Sequence, residues 1–233
     1  MRTIGVLGGM SSESSADYYR VMNQTARARL GGVHSARTLM LSFDFGEIEA
    51  LQAAGRWDES ARLLADGARA LERGGAELLI IATNTMHEVA DQVAAAVTIP
   101  LIHIADPTAA RIRAAGLTRV GLLGTRYTME RPFYRGRMEA LHGLAVIVPG
   151  EADRTTVHDI IYSELVVGVT REASRERYRE VIGRLVEQGA EGVIYGCTEI
   201  ELLVGAQDSP VPVFDTARIH AEAAVDAALA TPA

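Results

Sequence analysis

The chain has 233 residues, 48% of them hydrophobic, with a formal net charge of -7, enough apolar content for a packed core and the wrong sign for nucleic acid or an anionic membrane, both of which need a basic face. One cysteine excludes internal disulfides and most cysteine-based metal sites and fits a reducing compartment. All 23 basic residues are arginine, which removes the lysine that pyridoxal phosphate needs for its resting Schiff base and that a P-loop needs in its motif.

Strand and helix signals alternate from end to end, the pattern of an α/β fold with parallel sheets. Residues 3–7 read as a strand, and Ser11-Ser12-Glu13 offers caps for a helix that runs to about Leu30 and stops at Gly31-Gly32. A second strand spans 38–43, an irregular stretch covers 44–55, and a helix over 58–73 ends at Gly74-Gly75. Strand 77–82, helix 85–96 and strand 101–104 complete the first half. The second half repeats the plan with helix 107–115, strand 119–123, helix 129–141 and strand 144–148. Helices near 155–165 and 171–188 lead to strand 192–195, a short helix after Thr198, strand 211–214 and a last helix over 216–229. No apolar run approaches the ~18 residues of a membrane span, and Met1-Arg2 leads into a five-residue apolar run broken by Gly8-Gly9, so no signal peptide and a soluble, cytoplasmic protein are expected. The six histidines, at 34, 87, 103, 142, 158 and 220, show no metal-ligand spacing.

The halves are copies. Gly75 to Thr85, ending Ala82-Thr83-Asn84-Thr85, lines up with Gly189 to Glu199, ending Gly196-Cys197-Thr198-Glu199, at a shift of 114 (197 minus 83). Ile4-Gly5-Val6-Leu7-Gly8-Gly9 matches Val120-Gly121-Leu122-Leu123-Gly124-Thr125, and Ile99-Pro100-Leu101-Ile102 matches Val211-Pro212-Val213-Phe214. Three matches in one order predict two pseudo-symmetric, doubly wound α/β domains, residues 1–97 plus 208–233 and residues 98–207. The active site is then expected in the cleft between them, at the C-terminal ends of the strands. Within the repeat one word differs: a hydroxyl at Thr83 stands against a thiol at Cys197. At a strand end before a helix, backbone N–H groups and the helix dipole are expected to lower the Cys197 pKa towards neutrality and make its thiolate a usable base.

Ile4 to Met10, Thr83-Asn84-Thr85-Met86-His87 and Gly196-Cys197-Thr198-Glu199 resemble the aspartate/glutamate racemase family, whose motifs read Gly-Gly-Met, Cys-Asn-Thr-x-His and Gly-Cys-Thr-Glu. The resemblance covers essentially the whole chain. It implies a cofactor-independent, usually dimeric amino-acid racemase acting on aspartate or glutamate, in which a cysteine on each side of the bound amino acid removes or returns the α-proton. Cys197 would be the base that deprotonates the L-enantiomer, and Thr83 stands where the other thiol should be. Asn84, Thr85 and Thr198 would hold the α-carboxylate and amino groups, Gly9 and Met10 would close the first loop with Thr125 in its mirror loop, and Glu199 would orient the C-terminal side. His87, one helical turn beyond Thr83, could lean over the site or be an ordinary buried histidine.

Two departures qualify the match. A threonine hydroxyl is a far weaker acid than a thiol, so Thr83 is a poor base towards a D-substrate yet can still deliver a proton, which predicts a bias towards the L-form. Many aspartate racemases hold the distal carboxylate with an arginine in an Asn-x-Pro loop and with a lysine. Here the loop reads Ser42-Phe43-Asp44-Phe45-Gly46-Glu47 and lysine is absent, leaving Gln52 or Arg126 as candidates. Other readings stay open: a one-thiol relative such as an arylmalonate decarboxylase, maleate isomerase or hydantoin racemase, or an amino-acid-binding protein without catalysis.

Overall fold

The computed structural model describes residues 1–230 and resolves the chain into two compact units, Met1–Ile104 with the segment from His220 onward, and Ala105–Ile219. Both crossings fall later than the expected cuts after 97 and 207. Leu101 still bridges Leu79 in the first unit's sheet, and residues 213–215 pair as a strand with the second unit's sheet, so neither segment can be divided off earlier.

In the first unit β1 (Ile4–Gly8) is buried along its whole length. Helix α1 (Ser12–Leu30) starts where Ser11 accepts the Ser14 N–H and ends at Gly31, as its caps predict. Strand β2 (Thr38–Ser42) forms one edge of the sheet. The stretch read as irregular is a helix, α2 (Phe45–Ala53), capped by the Asp44 carboxylate on the Gly46 N–H. Its buried stripe is only Ile48 and Gln52, and one apolar residue in two leaves no helical period to detect. Helix α3 (Trp57–Arg73) shows that period plainly, burying Ala61, Leu64, Ala65, Ala68 and Leu71. Strand β3 (Leu78–Ile81) is followed by a 3-10 turn over Thr85–Val89 and a short α4 (Ala90–Ala94), in place of one helix over 85–96. The expected strand over 101–104 is reduced to the single Leu101 bridge. The sheet is parallel in the order β2-β1-β3, and its side packs on α3 through Leu7, Leu64, Leu79 and Ile81, none of them exposed. Each such side chain contributes about 1.5–3 kcal/mol by leaving water.

The second unit runs α5 (Ala105–Ala114), β4 (Arg119–Gly124), α6 (Arg126–Glu130) and α7 (Pro132–His142). The single helix expected over 129–141 is broken because Arg131 precedes a proline and is extended, φ -82° and ψ 149°, the conformation that proline imposes on its predecessor. Then come β5 (Ala145–Ile147), α8 (Glu151–Ser163), α9 (Glu172–Glu187), β6 (Gly192–Gly196), α10 (Ile200–Leu203) and β7 (Val213–Asp215), before α11 (Thr216–Leu229), which belongs to the first unit from His220 onward. The sheet is parallel, ordered β5-β4-β6-β7. Asp208, its side chain fully buried, accepts the Gly205 N–H at 2.9 Å and pairs with Arg179 at 2.6 Å and Arg175 at 3.3 Å. That ion cluster fastens the turn after α10 to α9. Among the described residues no helix is long and apolar enough to cross a membrane.

The sheet registers repeat. Leu7 lies opposite Ile81 in the first unit and Leu123 opposite Tyr195 in the second, so the matched sequence segments occupy equivalent strands.

Candidate active site

In the first unit the loops leaving β1 and β3 are drawn together by small residues. Gly9 has a φ of +84°, and a Cβ there would run into the backbone of Phe43, so only glycine fits. Its N–H donates to Ser15 Oγ at 2.7 Å, and the Ser15 hydroxyl donates to the Ser11 carbonyl at 2.8 Å. Ser14 Oγ donates to the Ala82 carbonyl at 3.1 Å, tying the first turn of α1 to the end of β3. Thr83 comes next and is partly exposed, whereas Ala82, Asn84, Thr85, Met86 and His87 are buried, as is Met10. Gln52 is also buried, its amide donating to Met86 Sδ at 3.0 Å. It therefore packs beneath the Thr83–Met86 turn, and the same contact holds α2 to that turn. His87 does not lean outward: 2% exposed, it turns its Nδ1 back to the Thr83 carbonyl at 2.8 Å.

The second unit repeats the arrangement with different chemistry. Gly124 and Gly196 end the paired strands β4 and β6, and a Cβ on either would come within 2.9 Å of a carbonyl oxygen of the other strand. Thr125 caps α6, its Oγ1 accepting the Thr128 N–H at 3.3 Å. Cys197 and Thr198 are partly exposed, and Glu199 is buried. The Cys197 thiol donates to Glu199 Oε2 at 3.0 Å. Burial pushes the thiol pKa well above its ordinary value, the Glu199 charge and the bond to its carboxylate push the same way, and the opposing Glu199 backbone N–H is outweighed. The expected lowering towards neutrality is thus overturned. The helix that was to supply the dipole, α10, is a single turn beginning three residues later, and a helix's effect is confined to its first turn. Below Cys197, Tyr178 is fully buried, donates to the Val157 carbonyl at 3.3 Å, and is held protonated by burial and by the negative charge that Cys197, Glu199 and Glu164 can carry. Nothing in the sequence signalled that Tyr178 and Glu164 belong to this neighbourhood, because they come from α9 and the end of α8.

Thr83 lies two residues beyond Ile81, and Cys197 two beyond Tyr195; Gly9 and Thr125 likewise follow Leu7 and Leu123. Each unit therefore places a partly exposed proton-bearing group, Thr83 in the first and Cys197 in the second, at the equivalent position past its strand. The distal-carboxylate candidate Arg126 is exposed on α6, its backbone N–H donating to His158 Nδ1 at 3.2 Å. Among the described residues no group of three or more His, Cys, Asp or Glu is placed to hold a metal. A groove of about 570 Å³ between α3 and α4, lined by Arg62, Asp66 and Gln92 among others, contains none of these candidate residues.

The sequence profile of the Asp/Glu/Hydantoin racemase family matches residues 7–224. A crystal structure of a candidate Asp/Glu racemase from Yersinia pestis superposes with a TM-score of 0.93 at 54% identity, covering 99% of this chain and 100% of that one. An aspartate racemase homologue from Pyrococcus horikoshii OT3 gives 0.85 at 35% identity over 98% and 99% of the two chains. A broad specificity amino-acid racemase of Bacillus subtilis (strain 168) is 23% identical over 176 residues, 74% of each chain.

Proposed function

The chain belongs to the Asp/Glu/Hydantoin racemase family, a family of isomerases, and from that premise we propose that it is a cofactor-independent amino-acid racemase acting on aspartate or glutamate, biased towards the L-enantiomer. The observation that carries the proposal is the equivalent placement of one thiol and one hydroxyl, each partly exposed, two residues past the matched strand positions.

Because Glu199 already accepts the thiol proton, it is the group that takes it fully when the substrate arrives. The resulting thiolate removes the α-proton of the L-substrate, and the electron pair left on carbon delocalises into the α-carboxylate. Asn84, Thr85 and Thr198, with nearby backbone N–H groups, stabilise that charge. The Thr83 hydroxyl then gives a proton to the opposite face and regains one from water, and the proton held by Glu199 passes to the hydroxide so formed, which returns every group to its starting state. Running backwards, the scheme asks a hydroxyl to act as base, which is the source of the bias. Gln52 and Arg126 are the candidates for the distal carboxylate, Gln52 from beneath the turn that carries Asn84 and Thr85. The family resemblance supports a homodimer, and the lone cysteine supports a cytoplasmic, reducing setting.

Incubation of L-aspartate and L-glutamate in heavy water tests the proposal. Deuterium is expected at the α-carbon, D-product is expected to accumulate, and Cys197→Ala is expected to abolish both. Absence of exchange with either acid, alongside turnover of a hydantoin, an arylmalonate or maleate, would reassign the chain to a one-thiol relative. Thermal stabilisation by an amino acid without exchange would make it a binding protein.

A further inference from the structure

Beneath Thr83 three histidines meet. The rings of His87 and His103 have centroids 4.5 Å apart, and those of His87 and His220 are 5.7 Å apart. All three residues are buried, His220 completely. The hydrogen bonds of two of them fix their tautomers. His87 Nε2 accepts the Ile104 N–H at 3.1 Å, so in the neutral ring the proton sits on Nδ1, which donates to the Thr83 carbonyl at 2.8 Å. His220 Nε2 faces the Ile102 carbonyl at 2.8 Å and must donate to it, which leaves Nδ1 to accept from Tyr18 Oη at 2.9 Å. Segment 102–104 is therefore gripped from both sides, by one imidazole on the Ile102 carbonyl and by another on the Ile104 N–H. Ile104 is the last residue before the chain leaves the first unit.

We propose that His87 is a positioning residue for the Thr83 side of the reaction: through its Nδ1–H it fixes the carbonyl, and hence the backbone, of Thr83 against the clamped 102–104 segment, so that the Thr83 hydroxyl is aimed at the face it must protonate. The proposal rests on the racemase reading above. A 3-10 turn is a loosely bonded element, and Thr83 stands just ahead of one with no capping bond from the Asn84 side chain. The imidazole adds a restraint on the residue that leads into the turn. Proton delivery is sensitive to placement, a displacement of about 1 Å costing on the order of 100-fold in rate.

Two substitutions separate positioning from bulk. Asparagine places its amide N–H near where Nδ1 stands, so His87→Asn keeps the donor to Thr83, whereas His87→Gln reaches the Nε2 position and loses it. In heavy water with the L-substrate, the ratio of D-product formed to α-proton exchanged is expected to fall about 100-fold for His87→Gln and to stay within about threefold of wild type for His87→Asn. Exchange alone, the Cys197 half of the reaction, should persist in both. Equal loss of exchange and inversion in the two variants, or an unchanged ratio in His87→Gln, overturns the positioning role. Because a buried substitution can impair folding, 15N NMR of the histidine-labelled wild-type protein gives an independent reading. A neutral Nδ1–H tautomer at His87 supports the proposal, and an Nε2–H tautomer overturns it. Wild-type protein that neither exchanges nor inverts any acidic amino acid sinks the racemase reading itself, whatever the tautomer.

Discussion

Cys197 and Glu199 form a thiol–carboxylate pair, Sγ to Oε2 at 3.0 Å, inside a single turn after β6. A carboxylate this close disfavours a second negative charge, and with burial it holds the thiol protonated. Removing the charge with Glu199→Gln should therefore lower the Cys197 pKa. Since Cys197 is the only cysteine, the pH dependence of iodoacetamide labelling reads it directly. The midpoint should move to lower pH in Glu199→Gln and labelling at pH 7.5 should quicken, while racemisation falls because the proton acceptor is gone. A midpoint that stays put, or moves up, would mean Glu199 does not govern the thiol.

Thr83 makes the opposite test. Thr83→Ala leaves the Cys197 half-site untouched, so α-proton exchange of the L-substrate should continue while inversion falls by about 100-fold, the size of a lost general acid. Thr83→Cys restores a group that can ionise and should raise turnover of the D-form at least about tenfold. Chiral chromatography of the products from each pure enantiomer measures both. No gain with Thr83→Cys would place the limit on that face elsewhere than in the acidity of residue 83.

The features legible in the sequence were those written in local or repeated patterns. The paired strands, the cap at Ser11 and the Thr83/Cys197 equivalence follow from apolar runs, a local cap signal and a repeat, and the sheet registers reproduce the repeat residue for residue. What could not be read depends on contacts distant in the chain. Helix α2 was invisible because one of its two buried residues is Gln52, whose reason for burial is a methionine 34 positions away. The rise in the Cys197 pKa comes from burial and from the side-chain orientation of Glu199, which a sequence does not specify. The histidine cluster joins residues 87, 103 and 220, a grouping no spacing rule would select.

Gly9 is the position where the first loop has least freedom. Its φ of +84° costs a residue with a Cβ about 1–2 kcal/mol, and the Phe43 backbone occupies the space that the Cβ would need. Gly9→Ala should destabilise the protein by more than about 2 kcal/mol, seen as a lower urea midpoint at unchanged m. It should also loosen the bond from the Gly9 N–H to Ser15, and so weaken L-substrate binding. A stability within about 0.5 kcal/mol of wild type would show that the loop has another conformation open to it.

The buried His87 carries a pH signature in stability. Burial, followed by the neighbouring His103 and His220, lowers its pKa well below the ordinary value, against the pull of the Thr83 and Asn84 carbonyls. In the unfolded chain the same imidazole binds a proton near pH 6.5, so between that pH and the depressed folded value the unfolded state holds more protons than the folded one. The stability contributed by the neutral ring is thus complete above pH 6.5 and drains away as acid is added, by up to about 1.4 kcal/mol per pH unit for one site. Urea denaturation at pH 7, 6 and 5 should show this fall in the wild type and a shallower one in His87→Asn, which has no proton to gain. Parallel slopes for the two proteins would mean that His87 titrates normally in the fold, and that its bond from the Ile104 N–H does not hold the ring neutral.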